Sequence, residues 1–159
     1  MDNSLTYYMV ASVIEAFILW LYCNKLFKQR LNTPLSILIA IIMHLLSAPV
    51  YMLHFPILNI ISFILITYIV TIIISDISFF SAIFHSLMLT VVMGLSELLV
   101  VGFVPNLYIL FFRESGTINN TALYVFISKT IYLFISQAVS TILKKRKGSY
   151  PYSVPTPKS

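Results

Sequence analysis

Five ionisable side chains interrupt apolar runs of this sequence that are otherwise suited to lipid: Glu15, His44, His85, Glu97 and Lys129. Burying such groups in a bilayer costs about 2.5–3.5 kcal/mol each for Asp, Lys or Arg on insertion scales, and they normally face the interior of a helix bundle. They are therefore the residues with which this chain could bind a polar group, couple to a ligand or move a proton.

Composition fixes the environment in which these residues act. The 159 residues are 59% hydrophobic and 9% charged, whereas an average soluble domain carries about 25% charged residues. Too few polar residues are present to cover a soluble core. We expect an all-α, polytopic bundle of helices with the lipid bilayer as its solvent.

About five stretches are long enough to cross a hydrocarbon core of about 30 Å. A transmembrane domain over residues 1–147 is predicted, followed by a disordered cytoplasmic tail, rich in Pro and Ser, over 148–159. Because every backbone donor must be satisfied within lipid, the stretches are predicted as helices. The predicted spans are 6–26, 34–53, 57–74, 79–104 and 122–143.

The basic residues predict the orientation of the bundle. Of the ten Lys and Arg residues, eight fall in segments that share one side if the spans alternate, namely 25–30 and 144–158. Since Lys and Arg concentrate on the cytoplasmic side, the N-terminus is expected outside and the C-terminus inside. The external loop between the fourth and fifth spans then carries Arg113 and Glu114.

Depth brings three of the charged residues to one level. Glu15, Glu97 and Lys129 each lie about seven to nine residues from the outer end of their spans, roughly 10–14 Å below the surface at 1.5 Å per residue. Two acids and one base at one level predict a shared cluster. It either fixes helix register or forms a polar site for a ligand or for conformational coupling, and both alternatives remain open here.

The histidines are weaker candidates for chemistry. His44 is predicted as a buried, hydrogen-bonded residue, and His85, near the inner end of its helix, is expected to reach the membrane interface. A metal site from these two residues lacks a third ligand. The sequence also offers no nucleophile paired with a base, no phosphate-binding loop and no basic face on a soluble module for nucleic acid. We therefore expect neither an enzyme nor a cofactor.

The segment FSAIFHSLMLTVVMGLSELLV, residues 80–100, resembles the membrane sensor region of peptide-responsive bacterial histidine kinases of the accessory-gene-regulator C type, which end in a GHKL ATP-binding domain. Ile14-Glu15-Ala16 and Ser128-Lys129-x-Ile131-Tyr132 are similar to the same family. The matching polar anchors include Glu15, His85, Glu97 and Lys129.

The resemblance implies a multi-pass protein of the bacterial plasma membrane with a quorum-sensing role in a two-component system. It also implies a secreted peptide or small ligand outside and a separate kinase or a homodimer partner for output. No kinase domain fits within the 159 residues, so the expectation is a sensor half without its catalytic domain. The alternatives are a small transporter or transporter subunit that uses the Glu/Lys cluster, and a structural membrane subunit.

Overall fold

The computed structural model of the chain describes residues 3–51, 53, 55–112 and 121–148. These residues form helices α1 (Asn3–Leu26), α2 (Thr33–Leu45), α3 (Ala48–Tyr51), α4 (Pro56–Ile74), α5 (Phe79–Phe112) and α6 (Thr121–Gly148). Five helical segments are long and apolar enough to cross a membrane, which confirms the predicted fold class: Leu5–Leu26, Thr33–Val50, Pro56–Ile74, Phe79–Phe103 and Leu123–Arg146.

The second span is not one continuous helix. It breaks after Leu45 and resumes as the single turn α3, because Pro49 has no amide hydrogen to donate within the helix. The amide of Ser47 bonds to the carbonyl of His44 at 2.9 Å, and the Ser47 hydroxyl donates to the same carbonyl. These two bonds pair the carbonyl of His44 and the amide of Ser47 at the break. The prediction of one uninterrupted helix over 34–53 did not include this break.

Helix α5 continues beyond the predicted end of the fourth span. The prediction placed a loop from residue 104 because of Pro105, but the helix runs on to Phe112. A proline removes one backbone hydrogen bond without forbidding a helix when flanking residues can keep the geometry. The predicted loop is therefore shorter, and Arg113 and Glu114 lie outside the described residues, as does the tail from residue 149.

The five spans close into a ring. Helix α1 packs against α2 and α6, α4 packs against α2 and α5, and α5 packs against α6. Helix α1 also touches α4 across the ring. The interior is both apolar and polar: it contains Leu19, Val70 and Leu89, together with buried hydroxyl groups such as Ser86 and Ser136.

The connections at one end of the ring hold each other in place. The segment after α1 pairs with the segment between α4 and α5: Arg30 N donates to Ile74 O at 2.9 Å, and Asp76 N donates to Lys28 O at 2.8 Å. The side chains of Arg30 and Asp76 approach to 3.3 Å. We call this end, which also carries Lys144, Lys145 and Arg146 on α6, the basic end.

Candidate functional site

The three charged residues predicted at one depth meet in the structure. Lys129 Nζ on α6 lies 2.6 Å from Glu15 Oε1 on α1 and 3.3 Å from Glu97 Oε1 on α5. One ammonium group thus joins three helices. The expectation that these side chains form a cluster is confirmed, and we call the three residues the ion triad.

The members of the ion triad differ sharply in exposure. The side chains of Glu15 and Lys129 are 3% and 7% exposed, whereas that of Glu97 is 53% exposed. The short contact between Glu15 and Lys129 is therefore a buried ion pair. Glu97 is the carboxylate that an incoming molecule can reach.

A cavity of about 260 Å³ lies beside the ion triad. It occupies the half of the bundle in which α1 and α6 begin, between α1, α5 and α6. Its wall combines the triad with aromatic and small apolar groups. The lining residues are Tyr8, Ala11, Glu15, Glu97, Val100, Val101, Tyr124, Val125, Ser128 and Lys129.

Several buried hydroxyl groups near the cavity have no hydrogen-bond partner. Ser128 lies in the cavity wall, Tyr132 follows it one helical turn later, and Ser12 precedes Glu15 by one turn; each has an unpartnered oxygen. Buried polar atoms are usually paired, since an unmade bond costs about 1–3 kcal/mol. Hydroxyl groups without protein partners beside a cavity are available to water or to a ligand.

His85 belongs to a different cluster. Its Nδ1 lies 2.7 Å from the hydroxyl oxygen of Tyr22, and its ring packs edge-on against Phe27 at 4.9 Å between centroids. The side chain is buried. The expectation that it simply reaches the interface is therefore wrong, because α1 covers this part of α5. His85 is not part of the ion triad.

His44 is buried as expected, and it lies close enough to Glu15 of the ion triad for that carboxylate to act on it electrostatically. Its Nδ1 is 2.9 Å from the carbonyl oxygen of Ala40, one turn earlier on α2, and its Nε2 has no partner. Phe63 of α4 packs edge-on against the ring. Within the described part of the chain, no three His, Cys, Asp or Glu side chains gather as metal ligands do.

Lys25 makes a contact between helices that was not predicted from the sequence. Its Nζ donates to Thr141 Oγ1 at 2.6 Å and to the backbone oxygen of Gln137 at 3.2 Å. It thereby joins α1 to α6 near the basic end, as Lys129 joins them beside the cavity. Lys25 and Thr141 both lie near the inner ends of their predicted spans. Their common depth in the membrane is the sequence signal that could have predicted this contact.

The search for known relatives returned no matching family model and no significant match among curated proteins or solved structures. The resemblance to peptide-responsive sensor kinases receives no support from this search.

Proposed function

We propose that this chain is a ligand-sensing module of a bacterial plasma membrane. In this proposal the cavity binds the ligand, and α6 transmits the change to a signalling partner at the basic end. The observation that carries the proposal is the position of the ion triad, which forms part of a cavity wall and at the same time joins α1, α5 and α6.

The cavity supports binding over a purely structural role. Protein interiors are close-packed, and a cluster that served only to fix helix register would need no space beside it. Here about 260 Å³ lies next to half-exposed Glu97. That volume is just below the usual range for small-molecule pockets, about 300–1,000 Å³. It suits a small amphipathic molecule or a single side chain of a peptide.

Two lysine contacts supply a route from the cavity to the basic end. Lys129 links α6 to α1 beside the cavity, and Lys25 links α1 to α6 at Thr141. These two points on α6 are twelve residues apart, about 18 Å along the helix. A ligand that shifts α6 against α1 at the first point therefore strains the second.

The opposite half of the bundle favours sensing over transport. A transported molecule would have to pass Tyr22 and His85, which are joined by a hydrogen bond and buried together with Phe27. The cavity ends on the other side of this packed layer. Signalling requires only a shift of helices, which in known switches is about 1–2 Å.

Filling the cavity tests the coupling. Ala11→Trp places an indole in the cavity and should act as a bound ligand does, changing the distance between spin labels at Gln29→Cys and Lys144→Cys by about 1–2 Å. The measurement is pulsed electron resonance on protein in nanodiscs, in a Cys23→Ser background. Leu98→Trp is the control, since Leu98 is 69% exposed on α5. An unchanged distance with Ala11→Trp contradicts the sensing proposal.

The proposal includes an orientation, with the N-terminus outside and the basic end in the cytoplasm. A membrane-impermeant maleimide added to intact cells should label Asn3→Cys, and it should label Lys144→Cys only in inverted vesicles. The wild-type chain provides the background, because its single cysteine, Cys23, is fully buried. Labelling of Lys144→Cys from outside would reverse the topology.

A further inference from the structure

We infer that the cavity selects a cationic ligand: an ammonium group carried on a short apolar body. This inference rests on the proposed ligand site and adds the chemical class of the ligand. Three features carry the cation assignment: the charge balance of the ion triad, the accessibility of Glu97 and the aromatic wall. An unpartnered serine hydroxyl supports a polar ligand at the same place.

The charge balance favours a cation. With all three groups ionised, two carboxylates face one ammonium, so one negative charge is in excess. Glu15 is satisfied by its 2.6 Å contact with Lys129 and is almost fully buried. The excess charge therefore lies on Glu97, whose longer contact of 3.3 Å and half-exposed side chain leave it able to accept a second donor.

An anionic ligand would be disfavoured at the same place. Among the described residues of the cavity wall, Lys129 is the only basic one, and both of its neighbouring carboxylates already use its charge. An incoming carboxylate would have to displace one of them and would meet Glu97. Leaving a buried charge unpaired is strongly unfavourable.

The remaining wall suits an alkylammonium ion. Tyr8 and Tyr124 present aromatic rings, which attract cations through their π faces. Ala11, Val100 and Val125 give the cavity apolar surface that an alkyl chain can cover. The wall therefore recognises both parts of an amphipathic amine.

Ser128 is an independent sign that the cavity wall can bind a polar group. On α6, four neighbouring hydroxyl groups each donate to a carbonyl of the preceding turn, namely Thr130, Ser136, Ser140 and Thr141. Ser128 is only 6% exposed, lines the cavity and makes no such bond. Its hydroxyl group can accept from an N–H group of the ligand and can also donate, so it supports a polar ligand, while Glu97 indicates the sign of the charge.

The test is protection of a cavity thiol in detergent micelles of a maltoside, which carry neither charge nor ammonium groups. Hexylammonium should slow maleimide labelling of Val125→Cys, whereas hexanoate and hexanol at the same concentration should not. Labelling of Lys144→Cys, at the basic end, should be unaffected by all three compounds. Fully buried Cys23 does not compete for the reagent.

Two variants and one control in the Val125→Cys background test which residues bind the ammonium group. Glu97→Gln should raise the hexylammonium concentration for half-protection about tenfold or more, because a charge-assisted hydrogen bond is lost. Asp76→Asn is the matched control: it neutralises an exposed carboxylate at the basic end and should change nothing. Tyr124→Leu should raise the same concentration about threefold.

The outcomes separate this inference from the proposed function. If hexanoate or hexanol protects as well as hexylammonium, or if Glu97→Gln has no effect, the cation assignment is wrong while a ligand site remains. If none of the three compounds protects, the ligand site fails and the inference fails with it.

A second arm distinguishes the sources of the ammonium group. In nanodiscs of phosphatidylethanolamine, slower labelling of Val125→Cys than in phosphatidylglycerol, without added amine, would identify a lipid head group as the occupant. Equal labelling in the two lipids, with protection by hexylammonium in both, would identify a free amine.

Discussion

Replacing Lys129 with Met is expected to lower the free energy of unfolding of the bundle by about 3–5 kcal/mol. The change removes the ammonium group 2.6 Å from Glu15 Oε1 and leaves a carboxylate whose side chain is 3% exposed. The measurement is unfolding in mixed micelles by a denaturing detergent, followed through the fluorescence of Trp20, the single tryptophan.

Two companion variants show whether the cost comes from the buried charge. Glu97→Gln should lower stability by less than about 1 kcal/mol, because half-exposed ion pairs contribute little. The double variant Glu15→Gln/Lys129→Met should be markedly more stable than Lys129→Met alone, since no unpaired charge remains. If Lys129→Met lowers the free energy of unfolding no more than Glu97→Gln does, Glu15 and Lys129 do not form a buried ion pair.

The ion triad thus has a structural part and an accessible part. Glu15 and Lys129 hold α1 to α6, so their substitution confounds folding with function. Glu97 can be neutralised at small cost, and functional experiments on the site should use it. In the proposed function, the two alternatives left open by the sequence, helix register and ligand binding, fall on different residues of one cluster.

Truncating Tyr22 to Ala is the second large effect and should cost about 3–5 kcal/mol, as for other large buried aromatic residues. The Tyr22 side chain is fully buried and its hydroxyl is 2.7 Å from His85 Nδ1. Tyr22→Phe keeps the volume and should cost only about 1 kcal/mol, the usual net value of one hydrogen bond. The same unfolding measurement applies.

The control for this prediction is Tyr7→Ala on the same helix. Tyr7 is 37% exposed, so its loss creates no internal cavity and should shift stability by a small fraction of the Tyr22→Ala effect. Equal losses at the two positions would mean that the layer of Tyr22, His85 and Phe27 is not closely packed.

Much of this architecture could be predicted because lipid simplifies the problem. A backbone in hydrocarbon must satisfy its own hydrogen bonds, so the length of each apolar run predicted α1, α4 and the number of spans. The helical rise also placed Glu15, Glu97 and Lys129 at one depth. Both predictions depend on one dimension, position along the membrane normal, which a sequence records directly.

The features that were not predicted depend on how each helix is rotated about its axis and on which helices pack beside it. The partner of His85 is set by how α1 and α5 face each other, and a single sequence does not encode that angle explicitly. The two prolines show the same limit. Pro49 interrupts its span and Pro105 does not end its helix, because the outcome depends on which neighbouring groups can satisfy the freed carbonyl.

The spans differ in length in a way that bears on the surrounding bilayer. The adjacent helices α4 and α5 have 19 and 34 residues, and α6 has 28. At 1.5 Å per residue, α4 is about 29 Å long, whereas α5 is about 51 Å and α6 about 42 Å long. A hydrocarbon core of about 30 Å matches α4 but is shorter than α5 and α6.

This hydrophobic mismatch must be relieved by tilt of the longer helices or by local thickening of the bilayer beside them, at fractions of a kcal/mol per Å. The longer helices, α5 and α6, are also two of the three that line the cavity. A change in membrane thickness, through acyl-chain length or temperature, therefore acts mechanically on the walls of the cavity.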